Sequence, residues 1–168
     1  MEMANTTVDR MRPFMTTPHV DIEGMIKAFG IELDMNAHLH PEIIGQIERT
    51  NGAYRISVQG ADHPNRKRFT AAHELGHYLF HRDLLGDGVD DSRMYRSENL
   101  GLFYNTNIKP RHETEANKFA ATVLMPENMV RAKHREVAGN LRTLAREFHV
   151  SPAAMRIRLS GLGLQSAE

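Results

Sequence analysis

The stretch FTAAHELGHYLFH, Phe69 to His81, decides how this chain reads. It is patterned as a buried helix, yet it carries three histidines, one glutamate and a glycine within about three turns. On a helix, residues four apart lie one turn above each other, so His73 and His77 point the same way and can grip one ion. Glu74 lies beside them. In this H-E-x-x-H arrangement two imidazoles bind zinc and the glutamate takes a proton from the water that the metal activates. The chain has ten histidines and chance can produce the spacing, so the surroundings must decide.

On a helical wheel His73 falls on an apolar stripe with Phe69, Ala72, Gly76, Leu79 and Phe80, and His77 borders it. Neutral imidazoles facing a core need partners, and a metal satisfies both lone pairs together. Gly76 points the same way. A glycine inside a helix costs about 1 kcal/mol against alanine, which suggests that another backbone or side chain comes very close there. The competing reading is a helix whose core histidines bond to protein carbonyls, and the intervening glutamate and glycine weigh against it.

Catalytic zinc usually has three protein ligands and an open position, so a third ligand must come from elsewhere. In RHETEANKFAATVLMP, Ala116, Phe119, Ala120 and Val123 form a helical apolar stripe with Glu113 at its edge. A carboxylate facing the core requires a cation. Glu115 projects away from that stripe and is expected in solvent. His81, one turn beyond His77, and His112, next to Glu113, compete for the third place. Glu113 is preferred, because a carboxylate brought across on a second helix is the usual solution in sites of this type. His81 and His112 are then expected to cap helices or to hydrogen-bond the ligands.

The rest of the chain bounds these readings. Its 168 residues suit one domain. Twenty-one basic residues balance twenty-one acidic ones, so net charge does not call for nucleic acid or an anionic membrane. Without cysteine, any metal site must be built from nitrogen and oxygen ligands, and a reducing compartment is expected. The opening MEMANTTVDRMRPFM lacks the apolar run of a signal peptide, and no later stretch approaches membrane-spanning length. The expectation is a soluble, cytoplasmic protein.

Residues 1–18 show no period and read as a flexible arm. VDIEGMIKAFGIEL predicts a short helix capped by Asp21 and ended by Gly30, with Ile22, Met25, Ile26 and Phe29 on its apolar side. Asn51-Gly52 between β-rich segments predicts a hairpin from about Ile43 to Val58. A helix from Asn65 or Arg66 to Arg82 follows, then a polar stretch from Leu84 to Pro110 that reads as a functional loop with a short strand near Leu100 to Tyr104. A helix after Pro110 should stop at Met125-Pro126. One from Glu127 to Phe148 should break near Gly139-Asn140, and a last one should run from Ser151 to Leu159.

RFTAAHELGHYLFH followed by ETEANKFAATVLMP resembles the ImmA/IrrE family of metallo-endopeptidases, which carry H-E-x-x-H and then E-x-x-A-N-x-F-A. The resemblance runs from about Asp21 to Leu164. It implies zinc ligands at His73, His77 and Glu113 and a general base at Glu74, with manganese or another divalent ion as alternatives to zinc. Val123 and Leu124 stand where the family commonly has two leucines, a mild departure. The implied activity is a zinc-dependent endopeptidase that cleaves a helix-turn-helix repressor or antitoxin, releasing phage, mobile-element or stress-response genes. The expected fold is α+β, a small zincin-like domain with a short antiparallel hairpin or sheet packed on the H-E-x-x-H helix and a C-terminal helical, helix-turn-helix-like part. The expected partition is the arm at 1–18, a peptidase core at 19–130 and a helical subdomain at 131–168.

A rival reading is a DNA- or protein-binding regulator with a zinc site. LRTLAREFHVSPAAMRIRLSGLGL has helix-turn-helix character, with Ala145 at a tight crossing and Arg142, Arg146, Arg156 and Arg158 making it basic. His149 stands where the turn usually has glycine, and direct nucleic-acid binding is disfavoured. Tyr95, Tyr104, His134 and His149 are candidates for a second electrophile, unranked by sequence. Because peptidases commonly take substrate in extended form against a strand edge, the later hairpin strand, around Tyr54 to Val58, is expected to wall the cleft, with the Leu84 to Pro110 loop as a mobile cover.

Overall fold

The computed structural model describes residues 2–85, 93–97 and 107–168, with the side chains of 6–85 and 107–168. The chain has an α+β fold that divides into two compact units, one of residues 26–120 and the other of 1–25 with 121–168. Among the described residues no helix is long and apolar enough to cross a membrane.

In the first unit four strands form a mixed sheet in the order β1-β3-β2-β4. The hairpin of β2 (Ile43–Thr50) and β3 (Ala53–Gln59) is the one that Asn51-Gly52 predicts. Both turn residues take positive φ, 52° and 80°, as the mirror-image two-residue turn requires. β1 (Glu32–Ala37) was not legible as a strand. It pairs with β3 in parallel and is half exposed, so its sequence carries no clean alternation. β4 (Arg93–Ser97) pairs antiparallel with β2. The strand expected near Leu100 to Tyr104, and the mobile cover around it, fall largely outside the described residues.

This order corrects the expected cleft wall. β3 lies between β1 and β2, so both of its edges are already paired and an extended peptide cannot add to it. The outer strands among those described are β1 and β4.

Helix α3 (Pro64–Phe80) packs on β2 and β3. His63 caps it, accepting a hydrogen bond from Asn65 N at 3.1 Å, and Pro64 occupies the first turn, where no amide hydrogen is needed. Residues 70–77 of α3 are all buried, with the sheet on one side and α4 (Pro110–Leu124) on another. The single apolar stripe drawn from the wheel therefore understates the burial, and it overreaches at one end. Phe80 is 60% exposed and meets the Phe119 ring edge-on at a centroid distance of 5.5 Å.

Helix α2 (Ile22–Ala28) begins where Asp21 Oδ1 accepts from Gly24 N at 3.0 Å and ends before Gly30, which has positive φ. Before it, the expected aperiodic arm contains α1 (Glu2–Met11) and a 3-10 turn, Arg12–Phe14, and Met11 is buried. In the second unit the break near Gly139-Asn140 separates α5 (Glu127–Glu136) from α6 (Leu141–Glu147). Asn140 caps α6 by accepting from Thr143 N, and Ser151 caps α7 (Pro152–Gly161) by accepting from Ala154 N. α6 and α7 pack together with Leu144, Ala145, Phe148, Met155 and Leu159 buried. His149 in the turn between them has φ 52° and stacks on His19 at 3.7 Å. The C-terminal residues close over the α5–α6 break. Ala167 exchanges backbone hydrogen bonds with Gly139 and Leu141, each 2.8 Å.

Candidate metal centre

Two glycines let α3 be approached from both sides. On the sheet side, a methyl added at Gly45 of β2 would overlap the Thr70 methyl and lie 3.5 Å from Glu74 Oε1. The strand therefore passes directly over Thr70 and the buried Glu74 carboxylate. On the other side, a methyl at Gly76 would lie 3.0 Å from Phe119 Cδ1 and 3.3 Å from Ala116 Cα. The close approach expected from a costly mid-helix glycine is thus the crossing with α4.

That crossing brings Glu113, one turn before Ala116, across to the two histidines. Glu113 Oε2 lies 3.1 Å from His73 Nε2, Glu113 Oε1 lies 3.1 Å from His77 Nε2, and the two imidazole nitrogens are 2.9 Å apart. His73 and His77 are buried, whereas the Glu113 side chain is 31% exposed, so the cluster opens to solvent on the Glu113 side. Burial pushes the Glu113 carboxyl up. Hydrogen bonds and charge attraction from His73 and His77 outweigh that effect and hold it well below the usual carboxylate range.

The donor set suits a cation. Asn117, one turn beyond Glu113 on the same face of α4, places Oδ1 2.8 Å from His73 Nδ1. A carbonyl oxygen can only accept, so His73 Nδ1 carries the hydrogen and a neutral His73 presents a bare Nε2 lone pair to Glu113. A lone pair and a carboxylate oxygen in contact repel unless a proton or a cation lies between them. Separations of 2.9–3.1 Å are also close to the roughly 3.3 Å between ligand atoms that tetrahedral zinc bonds of about 2.0–2.1 Å imply. Among the described residues this is the one cluster of three such side chains that could hold a metal ion.

The two competing histidines take other work. His81 Nδ1 lies 2.9 Å from His77 Nδ1, and its Nε2 lies 2.7 Å from Glu115 Oε2. Glu115 faces solvent as expected, and it also has a partner. Its side chain is 56% exposed yet bonded to His81, which lowers its pKa. His112 caps α4, accepting from Lys109 N at 2.9 Å, and its ring packs against His81 at 4.7 Å. Burial, then the neighbouring His81 and Arg111, lowers its pKa.

Of the other candidates, His134 and His149 belong to the second unit. His134 Nε2 meets Gln165 O at 2.7 Å, and His149 stacks on His19. The Tyr95 side chain and Tyr104 lie outside the description. Sequence reasoning missed Asn117, although the periodicity that selected Glu113 puts it on the same face. It also missed Gly45, a glycine within a strand, which by itself signals close approach.

The model of the Peptidase M78 family, described as the IrrE N-terminal-like domain, matches residues 33–160. The chain belongs to this family. The M78 match runs from β1 through α7, so it takes in both the histidine-bearing helix and the helix that brings Glu113. M78 proteins are peptidases, and the His73, His77 and Glu113 cluster is compatible with the metal of a metallopeptidase. Comparison with curated proteins returns no match.

Proposed function

We propose that this M78 chain is a cytoplasmic, zinc-dependent endopeptidase whose substrate is a helix-turn-helix repressor or antitoxin. The observation that carries the reading is the convergence of Glu113 of α4 with His73 and His77, beside Glu74, at the buried middle of α3. In this reading His73, His77 and Glu113 hold the ion, with manganese or another divalent cation as alternatives. A bound divalent cation supplies polarisation of a peptide carbonyl and acidification of water. Glu74 accepts the proton of the attacking water and returns it to the leaving amine. Its burial keeps bulk water away from the carboxylate, and a lower local dielectric favours return of the proton to the amine. The exposed flank of Glu113 is the side from which substrate enters.

The paired edges of β3 move the proposed substrate path to β4. Arg96 of β4 pairs with Gly45 of β2, the residue over Glu74. β1 lies two strands from β2, on the far side of β3. An extended peptide added outside β4 would therefore run along the edge nearer the carboxylate, held by backbone hydrogen bonds that do not demand a particular sequence.

Direct DNA binding is less well supported. Arg158, one of the four arginines that make the α6–α7 segment basic, donates instead to Met125 O at 3.0 Å. Purified protein with zinc and a helix-turn-helix protein encoded beside its gene, followed by mass spectrometry, tests the reading. Defined fragments that disappear with chelator and with Glu74→Gln are expected. An intact partner in the presence of zinc-loaded protein overturns the proposed substrate. A shift of random duplex that weakens steeply with salt would instead favour the DNA-binding reading.

A further inference from the structure

We infer that His81 and Glu115 are positioning residues for the metal, forming a relay in which Glu115 sets the tautomer of His81 and His81 sets the tautomer and ring orientation of His77. The inference rests on the proposed reading of His73, His77 and Glu113 as metal ligands, and it assigns work to two residues outside that set.

The argument starts from hydrogen counting. An ionised carboxylate can only accept, so at 2.7 Å from Glu115 Oε2 the hydrogen belongs to His81 Nε2. A neutral His81 then has a bare Nδ1. The atom facing it at 2.9 Å is His77 Nδ1, which must supply the hydrogen between them. A neutral imidazole has one N–H, so His77 Nε2 is left bare, and that is the atom lying 3.1 Å from Glu113 Oε1. With both imidazoles neutral, the last step delivers the lone pair that a metal needs.

The fold holds the relay in register. His73, His77 and His81 occupy successive turns. His81 is the C-cap of α3 and its amide donates to His77 O at 2.8 Å, so its ring remains above His77 although the helix has ended. The His112 ring packs against it at 4.7 Å. Both His77 and His81 are buried, which leaves the relay rather than bulk water to satisfy their Nδ1 atoms. Glu115 is the exposed terminus, so the carboxylate that fixes the chain stays at the surface without the cost of burying a second negative charge beside Glu113. His73 is locked directly by Asn117, and His77 is locked through one extra ring. α4 supplies both anchors, Asn117 and Glu115, along with Glu113 itself.

The relay is tested by titrating metal-free protein with Zn2+ against a chelator of known affinity. His81→Phe is expected to weaken binding about 10–100-fold, the usual effect of losing a ligand's hydrogen-bond partner. Glu115→Ala should weaken it in the same direction. Glu115→Gln, whose amide oxygen can accept the same hydrogen bond, should recover most of the affinity. Adding Glu115→Ala to His81→Phe should cost nothing more, because Glu115 acts only through His81. Long-range 1H–15N NMR of the imidazoles in metal-free protein should show the Nδ1–H tautomer at His77, giving way to a tautomer mixture in His81→Phe. If His81→Phe does not fold, the surface variant Glu115→Ala carries the same comparison. Wild-type protein that binds one zinc while His81→Phe or Glu115→Ala binds it equally well overturns the relay alone. Wild-type protein that binds no zinc overturns the metal reading beneath it.

Discussion

Gly76 of α3 and Ala116 of α4 meet so closely that a methyl on Gly76 would lie 3.3 Å from the Ala116 backbone. The contact sets how far Glu113 reaches toward His73 and His77. Gly76→Ala should therefore separate the fold from the metal centre. Alanine gains about 1 kcal/mol of helix propensity, and overpacking against Ala116 and Phe119 costs about 1–3 kcal/mol. The metal-free protein should lose about 0–2 kcal/mol in urea melts by the same balance. Zinc affinity should fall by at least tenfold as Glu113 is pushed away. Unchanged affinity would show that α4 does not set the reach of Glu113.

Zinc should stabilise the protein, because ions that bind the native state shift the unfolding equilibrium. At a free concentration about 1,000 times Kd the gain is about 4 kcal/mol, which for a chain of this size corresponds to roughly 8–16 °C in Tm. Glu113→Gln should lose most of that gain, and Glu115→Ala should keep a large part of it. Differential scanning calorimetry with and without chelator reads both. The reverse ranking of the two variants would reassign the third ligand.

Asn117→Leu removes the acceptor that holds the hydrogen on His73 Nδ1. Affinity for zinc should drop about 10–100-fold, while Asn117→Asp, a stronger acceptor, should restore or exceed it. Chelator competition distinguishes this from a packing effect, which would damage both variants alike.

Glu74→Gln is nearly isosteric and removes the proton acceptor without touching the histidines. Zinc content and thermal stability should stay near those of the parent, while peptide cleavage should fall by at least 100-fold. Cleavage at the parent rate would overturn the hydrolytic role of Glu74.

The legible parts were those written in local pattern. Asn51-Gly52, the cap at Asp21, the opening of the last helix at Ser151, the stop at Met125-Pro126 and the spacing of His73 and His77 all act within a few residues, and each appears in the structure. The convergence of Glu113 with the histidines was readable because an acidic residue at the edge of an apolar stripe requires a cation. What escaped depends on partners distant in sequence. β1 is a strand because β3 accepts it in parallel, and that same pairing removed β3 as a docking edge. Glu115 looked solvated because its own helix turns it outward, and only the end of α3 brings His81 within reach.

The helix crossing at Gly76 also makes the intervening chain free to evolve. His73, His77 and Glu113 are held by two helices in direct contact, so their geometry is set at that crossing rather than by the length of the segment between His77 and Glu113. Doubling such a connection costs only about 0.6 kcal/mol in loop-closure entropy. The segment can therefore change in length at little energetic cost while the pincer of α3 and α4 stays in place.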